Sequence, residues 1–112
     1  MDRTVPSADL LQLQELVQHI VQRLHPHKVL LFGSHAYGQP HEGSDVDLLV
    51  VVPNPPPRRE RWKVASEFRP YSARPLQLVF ISHEEFEETK DIVGGIAYPA
   101  AHWGKPLYEA HP

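Results

Sequence analysis

Apolar residues first recur at helical spacing: Leu10, Leu13, Val17, Ile20, Val21 and Leu24. They predict a helix from about Ser7 to Leu24 with one apolar stripe. Gln12, Gln14, Glu15, Gln18 and Gln22 fill its other faces. Ser7 is a suitable N-cap and Pro26 stops the helix. The pattern then changes. KVLLF, from Lys28 to Phe32, is short, apolar and β-prone, and runs into Gly33. It reads as a buried strand. The segment GSHAYGQPHEGSD follows as a loop or a loop with one helical turn. Asp45 to Val52, DVDLLVVV, is a second strand with carboxylates at its start.

Asn54 to Pro57 is a rigid connector. A second helix is expected from Pro57 or Arg58 to about Phe68, with Trp62, Ala65 and Phe68 inward and Val64 beside them. Arg58, Arg59, Arg61 and Lys63 give its first half a basic, solvated face. Leu76 to Ile81 is a third strand. Ser82 and Glu85 form a capping-box pattern that opens a short helix from His83 to Lys90. Helical turns can resume from Asp91, although Gly94, Gly95 and Pro99 weaken them. Lys105 to Glu109 fits a short edge strand, where a proline is tolerable. Strands and helices interleave. The fold class is therefore α/β (α+β): a small mixed sheet with helices packed on it.

At 112 residues the chain fits one domain, spanning 1–112. Its 41% hydrophobic and 22% charged residues are ordinary for a globular protein. A net charge of −3 gives no general basic footprint for nucleic acid, which is the less favoured partner. The absence of cysteine excludes a disulfide scaffold, a thiolate metal site and a cysteine nucleophile. It fits a cytoplasmic setting. No apolar run approaches the roughly 20 residues that cross a bilayer, and MDRTVPSADL is not a secretory signal.

The chemistry gathers between Gly33 and Val52. Gly33 follows a strand end, where glycine admits close approach to the backbone, and Ser34 adds a hydroxyl that can cap a helical turn. Free amides at such a turn attract phosphate. Asp45 and Asp47, two apart on a strand, point to one face. Side by side they repel, and two hard oxygen donors suit a divalent cation such as Mg²⁺. Taken alone, the Asp-x-Asp pair reads better as a capped turn and a solvated strand edge. The preceding strand and Gly-Ser, ten residues upstream, shift the balance toward metal-assisted phosphoryl or nucleotidyl transfer.

The segments GSHAYG, Gly33 to Gly38, and SDVDLLV, Ser44 to Val50, resemble the signature of the minimal nucleotidyltransferases of the DNA polymerase β superfamily. The leading helix and the closing Gly104–Glu109 segment extend the resemblance over nearly the whole chain. It implies a polymerase β-like nucleotidyltransferase fold. It further implies that Gly33, Ser34 and Ser44 hold the nucleotide, ATP, and that Asp45 and Asp47 hold Mg²⁺ and are catalytic. Members often pair with a helical HEPN protein in toxin–antitoxin modules, and in some pairs they transfer AMP to that partner.

The sequence departs from the family at one place. A third carboxylate is expected on the next strand, at the position of Gln77. Glutamine offers a carbonyl oxygen but neither charge nor a base at neutral pH. Three readings stay open: a slower two-aspartate enzyme, a site completed by another residue or by a partner, and a protein that binds nucleotide or partner without catalysis. Eight histidines form no metal-binding pattern. His25 and His27 flank Pro26 and read as surface residues, and His35 and His41 as solvated loop positions. Trp62, Tyr71 and Trp103 read as core or partner packing rather than base-stacking platforms.

Overall fold

The computed structural model describes residues 7–33, 45–72 and 74–110. Four strands form one mixed sheet: β1 (Lys28–Phe32), β2 (Val46–Val52), β3 (Leu76–Ser82) and β4 (Lys105–Glu109). Their spatial order is β3-β2-β1-β4. β1 runs antiparallel to both β2 and β4, whereas β2 and β3 are parallel. The helices are α1 (Ser7–Leu24), α2 (Arg61–Ser66), α3 (His83–Thr89) and α4 (Ala97–Trp103). Single 3₁₀ turns lie at Arg58–Glu60 and Arg69–Tyr71. No described helix is long and apolar enough to cross a membrane.

Alternation along the strands sorts the core into two layers. On one face Val29, Leu31, Val46, Leu48, Val50, Val52 and Phe80 pack with Leu16, Val17 and Ile20 of α1 and with Phe68. On the other, Leu30, Leu49, Val51 and Ile81 meet Phe86 of α3 and Ala97 and Ala100 of α4. β2 is central and covered on both sides, which explains its unbroken apolar run after Asp47.

α1 follows its expected range, and the glutamine face is exposed. Leu16, outside the expected stripe, is among the most buried residues. The side chains of Ser7 and Leu10 lie outside the described residues. The helix closes with His25 in the left-handed region, at φ 49°, donating its N–H to Val21 O at 3.0 Å. This is a helix-ending turn with histidine where glycine is usual. Pro26 follows, buried.

Two expectations need correction. The second helix is shorter than anticipated, and Trp62 points outward with 68% of its surface exposed. Arg61 takes the inner position instead. Its Nε donates to Pro56 O at 2.9 Å and its Nη1 to Phe80 O at 3.2 Å, so it is not part of a solvated basic face. Val64 and Phe68, a helical turn apart, make the core contacts. Tyr71 and Trp103 are also exposed, so none of the three aromatic residues is core. Helical turns do resume beyond Asp91, as α4, and Pro99 stands in its first turn, where no intrahelical N–H is required.

β4 is the expected edge strand. Leu30 pairs with Pro106 and Val29 with Tyr108, so Leu107 is an extra residue in a bulge. Gly104 joins α4 to this strand. A Cβ there would collide with Ala100 O and come within 2.8 Å of Leu31 O, so only glycine lets the helix end lie this close to β1.

Candidate functional site

Three strand ends converge at one edge of the sheet. β1 arrives with its C-terminus, and the parallel pair β2 and β3 begin there. Pairing starts where Val46 N donates to Pro75 O at 2.8 Å. Asp45 lies one residue before β2, exposed, rather than within the strand.

Register defines the next row. Asp47 stands opposite Phe32 on one side and Gln77 on the other. All three belong to the face that carries Leu49 and Val51, because Leu48 and Leu78 point into the opposite core. Successive rows on this face are Ile81–Val51–Lys28, Val79–Leu49–Leu30 and Gln77–Asp47–Phe32. The first two rows lie in the layer with α3 and α4. The third is polar: Asp47 is half-buried and Gln77 exposed.

Gly33 sits directly against the carboxylate. Its φ is 78°, a conformation that glycine adopts without penalty. A Cβ at this position would collide with Asp47 Oδ2. Two requirements therefore select glycine here, the turn and the space for the aspartate. Ser34, His35, His41 and Ser44 lie outside the described residues.

The donor set fits a divalent cation in part. Asp45 and Asp47 offer charged oxygens two residues apart, and Gln77 adds at most a neutral one. Among the described residues no group of three His, Asp or Glu could hold a metal. The other carboxylates with a partner are engaged elsewhere. Glu67 meets Arg23 at 3.0 Å across the α1–α2 seam, Glu87 meets Lys90 at 2.9 Å, and Asp91 meets His102 at 3.0 Å. His27 is half-buried, stacked on His83 with ring centroids 4.3 Å apart, at the opposite end of the strands from Asp47.

The sequence profile of the nucleotidyltransferase domain matches residues 13–97. The chain belongs to this family. No curated protein matches it significantly. Several solved structures share the nucleotidyltransferase fold. A toxin–antitoxin complex solved with AMP-PNP aligns at a TM-score of 0.63 with 19% identity, covering 88% of this chain and 74% of that one. The MntA–HepT toxin–antitoxin aligns at 0.61 with 15% identity over 90% and 73%. The spectinomycin adenyltransferase AAD(9) from Enterococcus faecialis, solved with ATP and spectinomycin, aligns at 0.61 with 17% identity. There 96% of this nucleotidyltransferase is covered but only 58% of the larger enzyme.

Phe32 is the site neighbour that the sequence left unmarked. It read only as the end of a strand. Its place beside Asp47 depends on how β1 and β2 pair across residues 33–45, and loop length alone does not determine that register.

Proposed function

We propose that this nucleotidyltransferase moves AMP from ATP to an acceptor hydroxyl, using Asp45 and Asp47 to hold Mg²⁺ and Gly33, Ser34 and Ser44 to hold the nucleotide. The observation that carries the reading is Asp47 packed against Gly33 where three strand ends meet. Gly33 brings the backbone within reach of a phosphate and leaves room for the carboxylate. Asp45 and Asp47 concentrate two negative charges that a cation must balance. Mg²⁺, when bound there, would stabilise charge on the phosphate oxygens as a Lewis acid. The acceptor oxygen attacks the α-phosphorus, the bond from that phosphorus to the bridging oxygen breaks, and pyrophosphate leaves. The acceptor proton needs a base, and Gln77 cannot serve as one.

Two of the similar structures described above are toxin–antitoxin complexes, which supports a protein partner. In this reading the partner is a helical HEPN-type protein that also serves as the acceptor, in the cytoplasm. Gln77 in register with Asp47 favours a second reading, a weak or inactive nucleotide-binding antitoxin that acts by binding its partner. The test incubates the protein with Mg²⁺, α-labelled ATP and lysate of its own organism. Labelling of a protein band is expected, falling on the order of 10²–10³-fold in Asp47→Asn, as loss of several kcal/mol of metal-dependent stabilisation requires. Equal labelling by Asp47→Asn refutes the metal assignment. A silent wild type with undiminished partner binding establishes the second reading.

A further inference from the structure

Gln77 stands in register with Asp47, where it can bear on a cation held there. Resting on the assignment of Asp45 and Asp47 above, we infer that this nucleotidyltransferase takes one divalent cation per bound nucleotide rather than a pair. The register is the first ground. Gln77 is the only polar cross-strand neighbour of Asp47, on the same face, and Phe32 on the other side offers no donor. Neighbouring strands are about 4.8 Å apart, so the amide is close enough to share a ligand with Asp47.

Charge is the second ground. Two divalent ions at the roughly 3.5–4 Å spacing of a two-metal centre repel far more strongly than two single charges. A carboxylate between them offsets that repulsion, whereas an amide does not. Its NH₂ group presents two donors, which favour a phosphate or carboxylate oxygen and disfavour a cation. Among the described residues no nearby acid takes the missing place. Glu67 is held by Arg23 at the α1–α2 seam, on the other face of the sheet. Glu85 stands at the opposite end of β3, where its N–H donates to Ser82 Oγ. One cation, shared by two aspartates and the triphosphate, remains.

Equilibrium dialysis with Mn²⁺ and α,β-methylene-ATP tests this by the ratio of protein-bound Mn²⁺ to protein-bound nucleotide, and the same samples report Mn–Mn coupling by electron paramagnetic resonance. Wild type is expected to give one Mn²⁺ per nucleotide and an uncoupled spectrum. Gln77→Asp is expected to give two, with the broadening of a close pair. Gln77 is exposed, so this variant should retain the fold, which its thermal midpoint verifies. Two coupled ions in wild type, or one in a folded Gln77→Asp that binds nucleotide, overturns the inference and leaves the nucleotide site standing. Absence of both Mn²⁺ and nucleotide from wild type overturns the site assignment and the inference with it.

Discussion

The two faces of the sheet end differently. Toward α1 every β2 position is apolar, from Val52 through Val50 and Leu48 to Val46, and each of these residues is buried. Toward α3 and α4 the apolar rows stop at Leu49, and the next position is Asp47. The same strand thus holds the core together with one face and opens a polar row with the other. Leu48 and Asp47 are adjacent in the chain, yet they answer to different demands. Stability should be sensitive at Leu48 and chemistry at Asp47.

Asp47→Asn, with its expected loss of transfer on the order of 10²–10³-fold, should shift unfolding free energy by no more than about 1 kcal/mol, since the substitution preserves shape. Leu48→Ala should do the reverse. Leu48 has no exposed surface, and a leucine truncated to alanine in such a setting costs about 2–5 kcal/mol. Urea unfolding of both variants, together with α-labelled ATP transfer by the folded fraction, measures the contrast. A large stability loss in Asp47→Asn would show that the polar row is structural after all.

Gly33 lies where the two demands meet. Gly33→Ala places a side chain at φ 78° and against Asp47 Oδ2. A strained backbone of this kind costs about 1–3 kcal/mol, and the carboxylate must also move. Both urea stability and nucleotide binding are expected to fall, the latter measured by calorimetry with α,β-methylene-ATP. If only stability falls, Gly33 serves the turn and not the site.

Much of this arrangement was legible in the sequence. The 3.6-residue pattern placed α1 because it buries one coherent face, and short continuous apolar runs placed β1 and β2 because both of their faces are covered. Gln77 was readable as a neighbour of the aspartates because the resemblance places a third carboxylate at its position and its alternation with Leu76 and Leu78 lets it face their side, and the register sets it opposite Asp47. What remained hidden came from contacts distant in the chain. Trp62 faces solvent because the carbonyls of Pro56 and Phe80 hold the Arg61 guanidinium inside, and apolar spacing does not register that bond. Pro99 weakened the case for a helix beyond Asp91, yet its place in the first turn of α4 makes it harmless. Phe32 joined the site through antiparallel register with Asp47, which local sequence does not encode.

α3, which covers the far end of the second face, offers a smaller test. Ser82 Oγ accepts from Glu85 N at 3.0 Å and caps this helix. Ser82→Ala should lower stability by about 1 kcal/mol, read from the urea midpoint. The helix carries buried Phe86, with the Lys28 ammonium 5.3 Å from the ring centroid. Its cap therefore supports the cover over Val51 and Leu49, well away from Asp47. Nucleotide affinity should remain near that of wild type if the two ends of this face are independent.

The smallest effect expected is a pH dependence at the end of the same helix. Glu87 accepts a hydrogen bond from Lys90 at 2.9 Å, which holds its carboxyl below the ordinary value of 4.5 and raises the Lys90 ammonium above 10.5. Glu87 binds its proton more weakly in the folded chain than in the unfolded one. Its contribution is therefore present above the unfolded value and is lost as pH falls through the folded value. Lys90 has the opposite sense. Its contribution is present below 10.5 and disappears as pH rises through the folded value. Both side chains are more than a third exposed, so solvent and salt screen the pair strongly. The urea midpoint of Glu87→Gln should lie slightly below wild type at pH 7, and the gap should close as pH is lowered to 3 or salt is raised to 1 M. A gap that persists in acid would mean that Glu87 acts through packing on α3, and the far end of the second face would then be tied together by more than Phe86.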